Sequence, residues 1–473
     1  MFQKHKIPSA MQQKYGFRVL VATLLGIRLF MDLFVVVRDS GQTLDIDRIS
    51  LHKQYADLMN PDDREISRTA KYVLQGKGFL TDISYDKPDF RPGGLTLSAL
   101  RPKYQIYAHL LAIRLYTLAK PGYSVFTEGN LPADYYGCFA TAVLVMKNIF
   151  LLVSVFYFYR LSRILFKPAV AKIALCCYLL YPSLCFFIGI MNLHDCTVTY
   201  CLVIIVSVLA ENYHQYRFRT RQAVFVGFLM IVTLLKSQAI LSLAFLMVLL
   251  FVLYLPKPPM HVWRFLLIAN AIFIAALLPV FYQNHRDFGG FFLTTQSGVT
   301  FFHGHNPLAR GSWYPGIWNA DGGSIRKLLE PHRKALSAGE LSESQVYSHL
   351  AMDWIKENPG KEAVLLLRKT AIFLLPHNYL NWRINLFTLF GHLGLIGFGV
   401  LAVFRWRTMN KVFWFAVVPV ISVLLVNLLF FVEYRWRLFA DPFIILCAVH
   451  FYATTIGWYV AKRENINASV SMP

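Results

Sequence analysis

Three aspartates could take part in chemistry, Asp62 or Asp63 by accepting a proton from a substrate and Asp195 by helping to orient an acceptor. Asp62 and Asp63 lie just before a segment with helical periodicity, and Asp195 follows His194 in a short turn between two apolar runs. A carboxylate held at the mouth of a site could act as a general base. The first two acids could equally cap a helix, because Pro61 suits a first helical position. Asp195 could equally be a solvated turn acid, so spacing alone leaves both interpretations open.

Four basic residues could bind a lipid phosphate. Lys236 separates two apolar runs at the tip of a predicted hairpin, and Arg101 precedes an amphipathic stretch. Arg435 and Arg437 stand where the last apolar run begins. Arginine binds a phosphate with two donors at once, whereas lysine acts as a point charge. The alternative is that these side chains extend to ordinary lipid headgroups.

A turn-forming loop, Phe302–Tyr314, holds two further candidates, His305 and Asn306. His303 and His305 could suggest a metal site, but the sequence has no HExxH motif and no clear third ligand. No nucleotide-binding or nucleophile-elbow fingerprint occurs in a suitable context. We therefore expect no cofactor; a divalent metal is possible but not indicated by the sequence.

The elements that must position these residues are membrane helices. Of the 473 residues, 56% are hydrophobic and only 15% are charged, whereas a soluble domain has about 25% charged residues. Several apolar runs approach the ~20 residues that a bilayer crossing needs. In the first run, Arg28 and Asp32 are four residues apart and could pair on one helix face. The ten predicted spans lie near 17–37, 137–159, 168–190, 196–211, 221–235, 238–255, 264–283, 384–404, 411–432 and 438–461.

The charge pattern predicts the orientation. Short clusters of lysine and arginine flank alternate ends of the apolar runs, and nearly all acids fall in the other segments. This positive-inside pattern places both termini in the cytoplasm. The formal charge of +21 is therefore spread over loops, and no basic soluble patch points to nucleic acid. The seven cysteines lie in or beside apolar runs, so no disulfide framework is expected, and the first run is expected to be a retained signal anchor.

Two long segments are predicted on the outer side, 38–136 and 284–380. The first contains helical stretches at Glu65–Gln75 and Tyr104–Lys120. The second ends in the apolar run 363–379, which has two basic residues at its middle and is interpreted as an interfacial helix. We therefore expect one transmembrane domain, 1–461, followed by a short cytoplasmic tail, 462–473.

Several spaced motifs together resemble a family. The acid pair precedes the helix ending Gly76-Lys77-Gly78-Phe79, and the further motifs are Arg101-Pro102-Lys103-Tyr104, His194-Asp195, Pro279-Val280-Phe281-Tyr282-Gln283-Asn284, His305-Asn306-Pro307-Leu308-Ala309-Arg310-Gly311 and Tyr434-Arg435-Trp436-Arg437. In order and spacing the chain resembles the GT-C superfamily of membrane glycosyltransferases. Within it, the bacterial branch related to protein O-mannosyltransferases and the lipid A aminoarabinose transferase is most similar. Val280 and Gln283 replace the family's Trp and Arg, and Lys236 stands where Arg is commoner.

The resemblance implies a GT-C type fold: an all-α polytopic membrane protein with about ten transmembrane helices and two long outer loops containing juxtamembrane helices. It implies transfer of a sugar from a polyprenyl-phosphate donor to a glycolipid, polysaccharide or protein acceptor at the outer face of the inner (plasma) membrane. Asp62 or Asp63 would take the acceptor proton, with Glu65 as the third candidate, and Asp195 would help to orient the acceptor. Lys236, Arg435, Arg437 and Arg101 would bind the lipid phosphate. A lipid or sugar transporter (flippase) and a non-catalytic envelope-assembly subunit remain alternatives.

Overall fold

The computed structural model describes residues 10–34, 61–81, 96–97, 103–119, 133–184, 193–255, 258–312, 324–375 and 382–470, and the structural statements below concern these residues. Helices dominate them. In chain order they are α1 (Ala10–Phe34), α2 (Pro61–Leu74), α3 (Lys103–Ala119), α4 (Ala133–Leu165), α5 (Pro168–Leu180), α6 (Leu193–Gln215), α7 (Thr220–Thr233), α8 (Ala239–Leu253), α9 (Met260–Phe288), α10 (Gln296–Gly304), α11 (Ser324–Leu329), α12 (Arg333–Ser337), α13 (Glu340–Glu357), α14 (Pro359–Leu374), α15 (Trp382–Arg405), α16 (Trp414–Leu429), α17 (Tyr434–Arg437) and α18 (Asp441–Val470).

Each of the ten predicted spans coincides with a helix: α1, α4 to α9, α15, α16 and α18. Six of these helices are long and apolar enough to cross a membrane, namely α4, α6, α9, α15, α16 with the turn before it, and α18. The predicted class, an all-α polytopic membrane protein, is confirmed. The helices α5, α7 and α8 are apolar but shorter. At 1.5 Å per residue they measure about 20–23 Å, less than the ~30 Å hydrocarbon core, so the number of spans stays a prediction.

Both long connecting segments contain helices, as predicted. The first holds α2 and α3, and the second holds α10 to α14. The helix α14 covers most of the predicted interfacial run and begins earlier, with Pro359 at its first turn. One face buries Glu362 and Lys369, while Val364 and Leu367 on the other face are exposed. It is thus amphipathic, as a helix lying along a membrane surface would be.

The structure adds two small strand pairings that the sequence did not suggest. The strands β1 (Leu80–Thr81) and β2 (Thr96–Leu97) pair in an antiparallel arrangement. Ser312 and Val432 form an isolated parallel bridge. Both are too short to leave an alternating pattern in the sequence.

The helix α6 lies at the centre of the core. Within its apolar stretch, 94% of the residues are buried. Its apolar side chains surround the whole circumference, which is typical of a helix enclosed by others. It packs along α4 and α7 and contacts α8 and α16. The polar residues His194 and Asp195 stand at its first turn, so any charge there is held inside the helix assembly.

The helix α1 is fastened to this core by Arg28, which is only 1% exposed. Its guanidinium donates to the carbonyl oxygens of Tyr178 and Leu184 at 3.2 and 2.8 Å and to the Tyr200 hydroxyl at 2.8 Å. A buried charge is costly without such partners. The side chain of Asp32, the partner that the sequence suggested, lies outside the described residues.

Candidate active site

Asp195 and Lys236, two of the predicted site residues, form an ion pair. Lys236 Nζ lies 3.3 Å from Asp195 Oδ1. Asp195 belongs to the first turn of α6. Lys236 occupies the turn between α7 and α8, where its backbone N–H donates to Thr233 O and its own carbonyl accepts from Ala239 N. The predicted break at Lys236 is therefore present as a turn between two helices, and the turn places the ammonium beside the end of the central helix.

The two side chains differ in exposure. That of Lys236 is 15% exposed, whereas that of Asp195 is 1% exposed. Among the described residues, Asp195 Oδ2 has no hydrogen-bond donor within reach. A buried carboxylate is costly without positive charge nearby. The Lys236 ammonium faces Asp195, and the N-terminal end of α6 adds a smaller favourable contribution.

Helix α3 closes one side of this pair. Gln105 Nε2 donates to Leu235 O at 2.7 Å, beside Lys236. Electrostatic interactions link His109 with His194 and His194 with Lys236. Burial holds the pKa of His109 well below its ordinary value, and the neighbouring His194 imidazole adds to this effect, so His109 is neutral. We call the group the Asp195 cluster: Gln105, His109, His194, Asp195 and Lys236.

Asp62 and Asp63, the other two candidate bases, lie in the first turn of α2. Their side chains lie outside the described residues, so their distance to Asp195 is not defined. Helix α2 packs against α3, which also carries Gln105 and His109. The helix that carries Asp62 and Asp63 and the cluster around Asp195 are therefore both in contact with α3.

Three polar contacts fix α3 in place. Lys103 Nζ lies 3.8 Å from Asp287 Oδ2 in α9 and 4.4 Å from the centre of the Phe79 ring, after α2. The Tyr107 hydroxyl donates to Gln283 Oε1 at 2.7 Å. Burial lowers the pKa of Lys103 to about 8, and Asp287 opposes part of that shift. Gln283, which replaces the arginine of the resembling family, here serves as the partner of Tyr107.

His305 belongs to a second buried cluster, which we call the Lys369 clamp: Glu362, His305 and Lys369 with the carbonyl groups of residues 428 and 430. Lys369 Nζ donates to Leu428 O at 2.9 Å and Phe430 O at 2.6 Å and lies 3.1 Å from His305 Nε2. His305 Nδ1 lies 2.9 Å from Glu362 Oε1. The clamp joins α14, the loop after α10 and the end of α16.

Burial and neighbouring charge lower the pKa values of Lys369 and His305 in the Lys369 clamp. Burial lowers the pKa of Lys369 to about 7, with Glu362 opposing the shift. Burial, and then the charge of Lys369, also lowers the pKa of His305. A neutral His305 can donate from Nδ1 to Glu362 and accept at Nε2 from Lys369. Nε2 also lies 2.8 Å from Leu429 O, which would accept a hydrogen bond from a ring protonated at Nε2.

Asn306, the other predicted loop residue, shapes the turn. Its Nδ2 donates to Phe302 O at 2.7 Å, and its Oδ1 accepts from Leu308 N at 2.8 Å. Further along the loop, Val432 N donates to Gly311 O at 2.8 Å. The loop therefore packs against the segment that leads to Arg435 and Arg437.

Arg437 is buried, with 3% of its side chain exposed. Its guanidinium donates to Leu375 O at 3.0 Å, at the end of α14, and lies 3.8 Å from Asp441 Oδ1. These contacts hold the end of α14 against the start of α18. The side chain of Arg435 and the whole of Arg101 lie outside the described residues.

Sequence reasoning missed the roles of Gln105, His109, Glu362 and Lys369. Gln105 and His109 are four residues apart, so one helix face carries both, and this spacing was a usable signal. Lys369 was visible as a charge in an apolar run, but its partners are backbone carbonyls. In the part of the chain that the structure describes, no group of three or more His, Cys, Asp or Glu residues could hold a metal ion.

No family model and no curated protein matches the sequence. Among solved structures, the chain is similar to the archaeal oligosaccharyltransferase AglB from Archaeoglobus fulgidus, determined with an inhibitory peptide and a dolichol-phosphate. The TM-score is 0.47 and the identity 15%, over 97% of this chain and 52% of that one. This chain thus spans about half the length of that protein. At this TM-score and identity, the likeness assigns no residue role, donor or acceptor here.

Proposed function

We propose that the protein is a glycosyltransferase of the inner membrane. It would move a sugar from a polyprenyl-phosphate donor to an envelope glycolipid, polysaccharide or protein at the outer face of that membrane. The observation that carries this proposal is the Asp195–Lys236 pair, a proton acceptor and a cation 3.3 Å apart at the end of the central helix. Sugar transfer from a lipid phosphate needs both groups. The cation binds the leaving phosphate, and the carboxylate activates the acceptor.

In the proposed step, the acceptor oxygen or nitrogen attacks the anomeric carbon of the sugar. The bond from that carbon to the phosphate oxygen breaks, and its electron pair remains on the phosphate. The acceptor proton passes to a carboxylate, for which Asp195, Asp62 and Asp63 are the candidates. A general base contributes about 10²–10⁴-fold to such a rate, and one group that stabilises developing charge about 10²–10³-fold.

The remaining candidate residues receive narrower roles. Arg101 and Arg435 are proposed as further contacts of the lipid phosphate. The buried hydrogen bond of Arg437 to Leu375 O favours a positioning role for this residue. His305 and Asn306 are proposed to hold the loop that borders the donor or acceptor. The proposed reaction uses no metal or other cofactor.

The test compares Asp195→Asn and Lys236→Met with the matched controls Asp353→Asn and Lys356→Met, whose parent residues are exposed on α13. Each variant replaces the wild-type protein in cells, and envelope glycans are compared by mass spectrometry. Isolated membranes are also assayed with polyprenyl-phosphate mannose, glucose and aminoarabinose. We expect both site variants to lose at least about 100-fold in transfer, and the controls to lose little.

Asp62→Asn and Asp63→Asn in the same assay would identify which aspartate takes the proton. Full transfer in all of the acid variants and in Lys236→Met would reject the assigned chemistry. Envelope glycans that do not depend on the protein, together with protein-dependent movement of the sugar lipid across vesicles, would favour a transporter.

A further inference from the structure

Resting on this proposed function, we propose that Asp195 and the lipid phosphate compete for Lys236. In the empty site the ammonium neutralises the carboxylate, and donor binding draws it away. The carboxylate is then free to accept the proton of the acceptor. The ion pair would thus keep the base inactive until the donor has bound.

The exposures of the two side chains support this order of events. The side chain of Lys236 is 15% exposed, against 1% for that of Asp195. A phosphate that enters from outside the helix assembly therefore contacts Lys236 before it can contact the carboxylate. At 3.3 Å, the ion pair is also longer than the 2.7–2.9 Å typical of a strong charge-assisted hydrogen bond, so it is easily exchanged.

The surroundings favour movement of the ammonium and retention of the carboxylate. Lys236 lies in a turn between two short helices, on a flexible four-carbon side chain. Asp195 lies on the enclosed helix α6, which packs against α4, α7, α8 and α16. Since His109 is kept neutral by its surroundings, it supplies no charge that could take the place of the departing ammonium.

The same exchange accounts for product release. Transfer of the sugar converts a phosphate diester, with one negative charge, into a monoester with nearly two, so Lys236 is held more strongly. At that moment Asp195 carries the acceptor proton and is neutral. When it loses this proton, it again attracts Lys236 and competes with the lipid phosphate. The pair therefore acts once before the chemical step and once after it.

The exchange predicts opposite changes in affinity from two variants at one site. Purified protein in nanodiscs is titrated with undecaprenyl phosphate, which carries no sugar. Lys236→Met removes the cation and should weaken binding on the order of tenfold. Asp195→Asn removes the competitor and should tighten binding by a similar factor. Asp353→Asn and Lys356→Met should leave the affinity unchanged, and inorganic phosphate at millimolar concentration should not displace the lipid.

An Asp195→Asn variant that binds the lipid phosphate as the wild type does, or more weakly, would overturn the exchange. So would a wild-type protein that binds no undecaprenyl phosphate, or one from which inorganic phosphate displaces the lipid. If Asp195→Asn does not give a monodisperse protein, Asp195→Ser removes the same charge and takes its place. Since no sugar is transferred in this titration, its result is independent of the transfer assay: the exchange can fail while transfer is observed, and the reverse.

Discussion

The Lys369 clamp gives the most direct test of how the polar interior is held together. In Lys369→Met the side chain keeps a similar length but loses every hydrogen bond. The carbonyls of Leu428 and Phe430 lose a donor at 2.9 and 2.6 Å, and each unsatisfied buried group costs about 1–3 kcal/mol. Glu362 also loses the cation that balances its charge. Removing one member of a buried charged group costs about 3–5 kcal/mol, and we expect this range here.

The matched control is the neighbouring residue. Arg368 is exposed, so Arg368→Met removes a positive charge from the same helix without emptying a buried site. Such a surface change alters stability by about 0.5 kcal/mol or less. The apparent melting temperature of each purified variant in detergent is read from intrinsic fluorescence. Unfolding a chain of this length has an entropy of about 1 kcal/mol/K, so we expect Lys369→Met to melt roughly 3–5 °C below the wild type. Arg368→Met should melt within about 1 °C of the wild type.

Equal melting temperatures for the two variants would refute the reasoning. That result would mean that burial of the ammonium costs as much as its hydrogen bonds return, as happens for some buried ion pairs. A double variant of Lys369→Met with Glu362→Gln then serves as a check. If Glu362 is destabilised by the loss of its cation, the second change restores part of the lost stability.

Two further predictions concern the same region and α3. A Cβ at Gly304 would collide with Phe430 O, whereas one at Gly360 meets nothing within 4 Å. Gly304→Ala should therefore lower the melting temperature, while Gly360→Ala, in a helix, should raise the free energy of unfolding by about 0.5–1 kcal/mol. The second prediction follows from Lys103, whose pKa in the folded protein is lowered to about 8 from an ordinary 10.5. Between these pH values the unfolded chain binds more protons at this residue than the folded protein does, so the free energy of unfolding rises with pH. The melting temperature of wild type minus that of Lys103→Met should increase from pH 8 to pH 10.5, and a constant difference would contradict the assigned shift.

Much of the helical framework follows from the sequence because a bilayer crossing needs a long apolar run. Apolar runs bounded by basic clusters predicted ten spans, each of which overlaps a helix, and the polar break at Lys236 predicted that α7 and α8 are separate helices. The helix α4 nevertheless extends beyond its predicted span of 137–159 to Ala133 and Leu165. No proline or glycine stops it until Pro168 begins the next helix, and hydropathy alone does not detect such an extension.

The polar contacts were predictable only where both partners are side chains that the sequence had already marked as candidates for a site. Asp195 and Lys236 were both candidates, and the structure brings them together. The partners of Lys369 are carbonyls about 60 residues away along the chain, and every residue has a carbonyl. Sequence therefore carries no signal for such a contact, and only the folded arrangement of α14 and α16 identifies it.

The partners of Arg28 have a consequence for the order in which the protein is assembled. Tyr178 and Tyr200 follow Arg28 by 150 and 172 residues. At about 5–20 residues per second, the ribosome reaches them roughly 8–35 s later. Until then Arg28 lacks these partners, and an arginine at the centre of a bilayer costs about 2.5–3.5 kcal/mol. Asp32, one helical turn away, is the partner that the sequence offers in the meantime. The helix α1 is thus synthesised before α5 and α6 but reaches its final position only after both have been inserted.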